Sequence, residues 1–203
     1  MASFLGALLL SLAAVLSLAS PALGQGRVIV MLGDSLTAGG GLWTELYPGA
    51  VIYNLGIPAD TTMGIWNRLD EVLEKRPEYI FLQIGINDLG QGRSKEEIGE
   101  VSRKIWQELK RELPQTKLYV GSLLPVRESL FTWGLHRLQN SYISQVNFYL
   151  ANLAEEENLI LIDLFHPFLD SQGELAAHLT TDGVHLTAEA YKIWRKVLKP
   201  FLP

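Results

Sequence analysis

The chain contains no cysteine in its 203 residues. This absence excludes disulfide bonds, cysteine nucleophiles and thiolate metal sites. Charged residues are also scarce, at 19%, and the net charge of −5 comes without any basic run or stripe. We therefore expect no binding of nucleic acid. Hydrophobic residues make up 48% of the chain, which together with its length predicts one folded domain with a sizeable core.

The N-terminal segment lacks charge altogether, because no charged side chain occurs between Met1 and Gly24. Its apolar stretch, Phe4 to Ala19, is shorter than the ~20 residues that a membrane-spanning helix needs. Pro21-Ala22-Leu23-Gly24 then gives a small-x-small pattern that is typical of signal cleavage. We predict a secretory signal peptide over residues 1–24 and a single domain over residues 25–203, secreted or periplasmic. Because Met1-Ala2-Ser3 has no Lys or Arg, an uncleaved membrane anchor or a buried first helix is the alternative.

Five short apolar, β-branched runs recur along the rest of the chain, and helical patterns separate most of them. The runs are Val28–Leu32, Val51–Leu55, Tyr79–Ile84, Leu118–Ser122 and Leu159–Asp163. Near-continuous apolar strands that alternate with helices predict an α/β fold whose parallel sheet is covered on both faces.

Apolar stripes at helical spacing are expected to pack in the core. They comprise Met63, Trp66, Leu69 and Leu73; Ile98, Val101, Ile105, Leu109 and Leu113; Ile143, Val146, Leu150 and Leu153; and Tyr191, Trp194 and Leu198. A capping box, Ser94-x-x-Glu97, predicts the start of the second of these helices.

The stretch from Pro125 to Asn140 is irregular and long for an α/β connection, which is typical of a functional loop.

A serine follows the first predicted strand, in Gly33-Asp34-Ser35-Leu36-Thr37. Ligands bind outside the carboxyl ends of parallel strands, so Ser35 is a candidate nucleophile. The plain alternative is the N-cap of a helix. Gly56 and Asn87 follow the second and third strands and are candidate oxyanion donors, although both also fit ordinary turns.

A histidine and a carboxylate stand together in Asp182-Gly183-Val184-His185, just before the last helix. A histidine activates a serine when a carboxylate holds its other nitrogen, and a turn brings Asp182 to His185. The alternative is a surface loop that leads to a helix cap at Thr187. We expect the other three histidines to be less suited. His136 lies in the irregular loop, and neither His166 nor His178 is expected in a comparable turn with a carboxylate two to four residues before it. Strand ends bring Ser35, Gly56 and Asn87 to one edge of the sheet, and the loop after the fifth strand brings His185 there.

This ordered set of motifs resembles the SGNH hydrolases, also called GDSL esterases and lipases. The four family residues map onto Ser35 in Gly-Asp-Ser-Leu, Gly56, Asn87 in Gly-x-Asn-Asp, and His185 in Asp-x-x-His. The resemblance covers nearly all of residues 27–202 and implies a flavodoxin-like three-layer α/β/α sandwich with a five-stranded parallel sheet in the order 2-1-3-4-5. It also implies a Ser35–His185–Asp182 triad, with an oxyanion hole made by the N–H groups of Ser35 and Gly56 and the Asn87 side chain.

The branch that this chain resembles includes platelet-activating-factor acetylhydrolase subunits and bacterial acyl-carbohydrate esterases. Two segments carry that likeness: Asn54-Leu55-Gly56 followed by Asp60-Thr61-Thr62, and Thr181-Asp182-Gly183-Val184-His185-Leu186. Many members have Gly-x-x-Gly in this block, and here no further glycine occurs near Asp60. The resemblance implies hydrolysis of a small-molecule or glycan ester, with acetyl as the first choice of acyl group and with no metal or cofactor.

Several alternatives stay open at the level of sequence. The enzyme could act on longer acyl chains as a lipase, lysophospholipase or thioesterase, or transfer the acyl group to a glycan hydroxyl. Leu130, Phe131, Trp133 and Leu135 either line a mouth for such chains or pack over the sheet edge, and Arg127 is a candidate partner for an anionic substrate group. Other classes are a metal phosphoesterase built from Asp34, Asp88, Asp182 and His185, and a catalytically silent glycan-binding domain.

Overall fold

The computed structural model describes residues 27–41, 43–130 and 138–202. The predicted signal peptide at residues 1–24 lies outside the described residues, as do Phe131, Trp133, Leu135 and His136. Within the described ranges, we find no helix that combines the length and the apolar character needed to cross a membrane.

A sheet of five parallel strands forms the centre of the fold. Its order is β2-β1-β3-β4-β5, as predicted. The strands are β1 (Val28–Gly33), β2 (Val51–Gly56), β3 (Tyr79–Gln83), β4 (Lys117–Gly121) and β5 (Ile160–Ile162). At the carboxyl edge, Gly33 lies opposite both Gly56 and Gln83, so the strand ends that precede the candidate residues are in register.

Helices cover both faces of the sheet and confirm the predicted three layers. They are α1 (Ser35–Ala38), α2 (Thr62–Asn67), α3 (Leu69–Leu73), α4 (Ile86–Gly90), α5 (Lys95–Glu112), α6 (Asn140–Glu156) and α7 (Ala188–Leu198). On one face α5 contacts α2, α3 and α6. The capping box of Ser94 and Glu97 opens α5, as predicted.

The opposite face of the sheet carries a cluster of aromatic rings. Trp43 packs edge-on against Tyr191 and Trp194, with ring centroids 6.0 and 5.4 Å apart. The indole N–H of Trp43 donates to Thr37 O at 2.9 Å, and the Tyr191 hydroxyl donates to Leu36 O at 2.7 Å. Both bonds end on α1, so this cluster fixes the short helix that carries Ser35.

The predicted core stripes are confirmed for α5, α6 and α7, whose apolar faces are buried or packed against the core. In the stripe that begins at Met63, the prediction is confirmed for Leu69 and Leu73, which lie in or against the core, and is wrong for Met63 and Trp66. Met63 and Trp66 are 40% and 37% exposed, whereas Ile65, Leu69 and Val72 are buried. The physical reason is a break in the helix at Arg68, with φ −124° and ψ 22°, which separates α2 from α3 and changes the buried face.

Candidate active site

Ser35 begins α1 directly after β1. The helix N-cap is Asp34, whose Oδ1 accepts a hydrogen bond from the Leu36 N–H at 2.9 Å. Capping by Asp34 leaves the Ser35 hydroxyl free for other contacts. Gly33 allows this tight exit from the strand, because a Cβ there would lie 2.3 Å from both Gln83 O and Thr37 Oγ1.

The structure brings Ser35, His185 and Asp182 into one hydrogen-bonded chain. Nε2 of His185 lies 3.0 Å from the Ser35 Oγ, and Nδ1 lies 2.6 Å from Asp182 Oδ2. The other carboxylate oxygen of Asp182 accepts from the N–H groups of Val184 and His185, at 2.9 and 2.7 Å. Gly183 makes this turn possible with φ 96°, a left-handed conformation that favours glycine.

The carboxyl group of Asp182 is stabilised in its charged form. Partial burial raises its pKa, but hydrogen bonds from the His185 ring and from the backbone N–H groups of His185 and Val184 outweigh burial, so the pKa lies below its ordinary value. An ionised Asp182 fixes the proton of a neutral His185 ring on Nδ1, which leaves Nε2 as an acceptor for the serine proton.

Asn87 lies in the first turn of α4, beside the same site. Its Nδ2 donates one hydrogen bond to Asp60 O at 2.8 Å, which holds the amide in place and leaves its second hydrogen without a partner among the described residues. The Ser35 N–H stands at the start of a helix, where backbone donors have no partner within the helix. Two of the predicted oxyanion donors are therefore close to Ser35 Oγ in the fold.

Gly56 is not brought to the site as predicted. Its N–H donates to Asn54 Oδ1 at 3.0 Å. A Cβ on Gly56 would point at α1, 2.2 Å from Ala38 N, so the residue faces the helix backbone rather than the cavity. The structural reason for glycine here is the close approach of β2 to α1, and the sequence pattern does not distinguish that reason from a ligand contact.

Ala59 lies beside Ser35 and Asn87, where Gly56 was expected. It lines the cavity together with Ser35 and Asn87. Its φ is 63°, and its N–H has no acceptor among the described residues. Asp60 N–H bonds to Ile57 O at 3.1 Å, which closes a turn with Pro58 and Ala59 at its centre. Proline followed by a left-handed residue is the pattern of a type II turn, and Pro58 is the sequence signal that points to it.

The cavity above Ser35 has a volume of ≈ 260 Å³ and is lined mainly by apolar surface. Its apolar side chains are Ala59, Ile86, Leu138 and Val184, and Gln91 adds a polar group at the rim. Leu130 is 44% exposed and does not line it. Leu138, which follows the residues outside the described ranges, was not expected here and is buried.

Arg127 is already engaged and does not face this cavity. Its Nη1 donates to Asp170 Oδ2 at 2.8 Å and to Leu175 O at 3.0 Å. Its backbone N–H donates to Gly183 O at 2.8 Å, which supports the turn that carries His185. Arg127 therefore does not line the cavity in which it was a candidate partner for an anionic substrate group, and its contacts are structural.

Buried carboxylates lie behind the site. Burial raises the pKa of Asp34 to about 7, with a further contribution from the charge of Asp60. Burial also raises the pKa of Asp88, whose oxygens accept from the Thr62 hydroxyl at 2.7 Å and the Thr62 N–H at 3.0 Å. Among the described residues, Asp34, Asp88, Asp182 and His185 do not form a cluster of metal ligands.

His166 has the aspartate partner that was not expected for it. Asp163 precedes it by the same spacing as in Asp182-x-x-His185, and Nδ1 of His166 lies 2.8 Å from Asp163 Oδ2. Asp163 Oδ1 accepts from the N–H groups of Phe165 and His166, at 2.9 and 3.1 Å. The same turn therefore occurs twice, and within the described residues only the His185 ring forms a hydrogen bond with a serine hydroxyl.

Comparison with known proteins identifies relatives of this chain. The sequence model of the GDSL-like Lipase/Acylhydrolase family matches residues 31–193. Platelet-activating factor acetylhydrolase IB subunit alpha2 from Homo sapiens is 29% identical over 161 residues, which cover 78% of this chain and 66% of that protein. N-acylneuraminate cytidylyltransferase from Streptococcus agalactiae is 29% identical over 161 residues, which cover 79% of this chain and 35% of that protein. The chain thus spans only part of each curated relative.

A solved structure is similar over most of its length. It is a Streptococcus pneumonia protein, provisionally described as a platelet activating factor, with a TM-score of 0.75 and 27% sequence identity. The superposition covers 90% of this chain and 86% of that one.

Proposed function

The chain belongs to the GDSL-like lipase/acylhydrolase family, and we propose that it hydrolyses carboxylic esters through an acyl-enzyme formed on Ser35. The observation that carries the mechanism is the hydrogen-bonded chain from Ser35 Oγ to His185 Nε2 at 3.0 Å, and from His185 Nδ1 to Asp182 at 2.6 Å. Such a chain gives a serine its base and gives the base a fixed orientation.

In the first step, His185 takes the proton of Ser35 while Oγ attacks the ester carbonyl carbon. The tetrahedral intermediate collapses when the C–O bond to the alcohol breaks, and His185 returns the proton to the leaving oxygen. Water then attacks the acyl-enzyme, with His185 again as base, and releases the acid and Ser35. Asp182 stabilises the imidazolium in both halves of the reaction.

Three donors are proposed for the oxyanion: the N–H of Ser35, the N–H of Ala59 and the free amide hydrogen of Asn87. Ala59 replaces Gly56 in this proposal because it lines the cavity and its N–H has no other acceptor among the described residues. Loss of one such donor typically costs ~10²–10³ in kcat.

We propose a short acyl group, acetyl first, on a carbohydrate or small-molecule alcohol. The ≈ 260 Å³ cavity is apolar and small for a ligand pocket, since typical drug-sized sites span roughly 300–1,000 Å³. The name of the human relative, an acetylhydrolase, supports the same choice. The alternatives are longer acyl chains and transfer to a glycan hydroxyl.

The decisive experiment is hydrolysis of p-nitrophenyl acetate and fluorophosphonate labelling by the wild type and Ser35→Ala. The variant should lose both, whereas Ser141→Ala, a change on the exposed side of α6, should retain them. Retention of both by Ser35→Ala would refute the assignment of Ser35 as the nucleophile, and no turnover by the wild type would favour a silent binding domain.

A series of p-nitrophenyl esters of increasing acyl length tests the acyl group. If the rate is highest at eight carbons or more, the acyl group is a longer chain and not acetyl. An acceptor-dependent product would indicate transfer.

We also propose that residues 1–24 are removed on export, so that the enzyme acts in a secreted or periplasmic compartment. The uncharged segment with its small-x-small end supports this assignment. Mass spectrometry of the protein recovered from an exporting host should give a mature chain that begins near Gln25. Recovery of the intact chain in the membrane fraction would favour the anchor instead.

A further inference from the structure

The second Asp-x-x-His turn lies beside a cavity of its own. Asp163 follows β5, so His166 stands at the carboxyl edge of the sheet. Nδ1 of the ring is held by Asp163 at 2.8 Å, while Nε2 has no partner among the described residues and the side chain is 76% exposed. The ring is thus fixed in orientation and free on its outer nitrogen.

The cavity has a volume of ≈ 250 Å³ and lies between α6 and β5. Phe148 of α6 lines it and is 71% exposed, more than any other large hydrophobic side chain in the described residues. Ala151, Leu161 and Phe165 add apolar surface, and Ser144 adds a hydroxyl group with no hydrogen-bond partner among the described residues. The aromatic ring of Phe148 therefore lines the same cavity as two polar groups, the Ser144 hydroxyl and His166 Nε2, that have no hydrogen-bond partner in the described residues.

The lining selects a class of ligand. No Lys or Arg of the described chain lines the cavity, so nothing in it matches a phosphate or a carboxylate. Asp163 is the one carboxylate among the described lining residues, and both of its oxygens are occupied by its own turn. With its proton held on Nδ1, a neutral His166 presents Nε2 as an acceptor for a hydroxyl group, and the Ser144 hydroxyl can donate or accept.

We propose that this cavity binds a neutral sugar ring, whose apolar face packs on Phe148 and whose hydroxyl groups bond to His166 Nε2 and the Ser144 hydroxyl. A pyranose combines an apolar face with a rim of hydroxyl groups, and the volume admits about one ring. The binding itself does not depend on Ser35. The cavity would hold a glycan chain while an ester on that chain enters the active site at the same edge of the sheet. This role of the cavity rests on the proposed function.

The test uses the full-length Ser35→Ala protein, so that binding is measured without hydrolysis. A panel of neutral oligosaccharides of xylose, glucose and N-acetylglucosamine is titrated by calorimetry and by NMR. We expect saturable binding of at least one of them, weakened about tenfold or more when Phe148→Ala or His166→Ala is added. Trp66→Ala is the control, because Trp66 is an exposed aromatic residue that does not line this cavity, and this variant should bind as the parent does.

Circular dichroism of each variant verifies that it is folded, and His166→Gln provides a second variant that keeps a hydrogen-bonding group near Nε2. The proposal is overturned if no sugar shows saturable binding, or if Trp66→Ala lowers the affinity for the sugar as much as Phe148→Ala or His166→Ala does. Binding to neutral phosphatidylcholine vesicles that depends on Phe148, with no sugar binding, also overturns it and identifies a lipid contact. Since Ser35 is absent throughout, these results stand whether or not the wild type hydrolyses esters.

Discussion

Gly56 packs so closely against Ala38 that a Cβ at position 56 would lie 2.2 Å from the Ala38 nitrogen. Backbone atoms cannot move aside as a flexible side chain can, so Gly56→Ala must push β2 away from α1. We expect the free energy of unfolding to fall by ~1–3 kcal/mol and the geometry at Ser35 to be disturbed. Thermal unfolding and kcat on p-nitrophenyl acetate measure the two effects.

A second glycine serves as the control for this substitution. Gly173 has φ 77°, but a Cβ added there would meet no described atom within 4 Å, so Gly173→Ala adds backbone strain without a clash. It should lower stability by about 1 kcal/mol and leave kcat unchanged. A Gly56→Ala protein with wild-type stability and wild-type kcat would contradict the close packing of β2 against α1.

Asp182→Asn should remove most of the activity without unfolding the protein. Asn retains an oxygen for the N–H groups of Val184 and His185, but it turns an N–H toward His185 Nδ1. The ring must then carry its proton on Nε2, where it cannot accept one from Ser35, and kcat should fall by up to about 10⁴-fold. The exposed Asp70→Asn serves as control, and a loss under tenfold in Asp182→Asn would contradict the triad.

Asp34→Asn should change how stability depends on pH. Burial raises the pKa of the Asp34 carboxyl from 3.8 to about 7, so between these values the folded protein holds a proton that the unfolded chain has released. The unfolding free energy of the wild type therefore falls by roughly 1.4 kcal/mol per pH unit in this window because of this group. Below about pH 4 the contribution is fully present, and above about pH 7 it is lost.

The asparagine variant lacks this ionisation, so its stability relative to the wild type should rise from pH 4 to pH 7 and then level off. The difference at any single pH also contains the cost of burying the amide, which replaces Asp34 Oδ2, an oxygen with no hydrogen-bond partner in the described part of the chain. The slope with pH is therefore the quantity to test. Urea unfolding at four pH values measures it. A difference that is flat with pH would show that Asp34 is already ionised in the folded protein.

The sequence predicts the elements whose causes are local. β1 and β3 are continuous apolar runs, and α5 opens with a capping box, so these elements can be predicted without tertiary contacts. The meeting of Ser35 with His185 follows from topology, because parallel strands bring their carboxyl ends to one edge. Asp163 and His166 also lie close enough in the chain for their turn to be predictable.

The features that sequence reasoning misses depend on distant contacts or on backbone angles. Nothing in the identity of Ala59 reveals a φ of 63°. The break between α2 and α3 falls at Arg68, whose guanidinium bonds to Gly33 O at 3.2 Å and Leu55 O at 2.9 Å, at the ends of two strands. Periodicity alone cannot contain that information, so it places Met63 and Trp66 on the wrong face.

Arg68 should be a strong determinant of stability. Its side chain is only 11% exposed and pairs with Asp60 at 2.7 Å while it holds the ends of β1 and β2. Arg68→Met would leave the nearly buried Asp60 carboxylate without its cation and would remove one hydrogen bond from each of the Gly33 and Leu55 carbonyl groups, at a cost of ~3–5 kcal/mol. Chemical unfolding of Arg68→Met, and of Arg68→Met with Asp60→Asn, measures this cost. A double variant no more stable than the single would show that Asp60 is not left unpaired.

Ala59 provides the sharpest test of the revised oxyanion hole. A non-glycine residue at φ 63° costs about 1–2 kcal/mol, so Ala59→Gly should relieve strain and keep the N–H in the cavity. We expect kcat within about threefold of the wild type, with stability unchanged or raised by up to ~1 kcal/mol after the entropy of glycine is counted. Ala59→Val should do the opposite, because a β-branched residue resists this conformation and displaces the N–H, so that kcat falls by ~10²–10³. If Ala59→Gly instead loses more than tenfold while it remains folded, the methyl group rather than the N–H is what the active site uses. If Ala59→Val keeps full activity with a wild-type melting curve, the N–H of Ala59 is not a donor to the oxyanion.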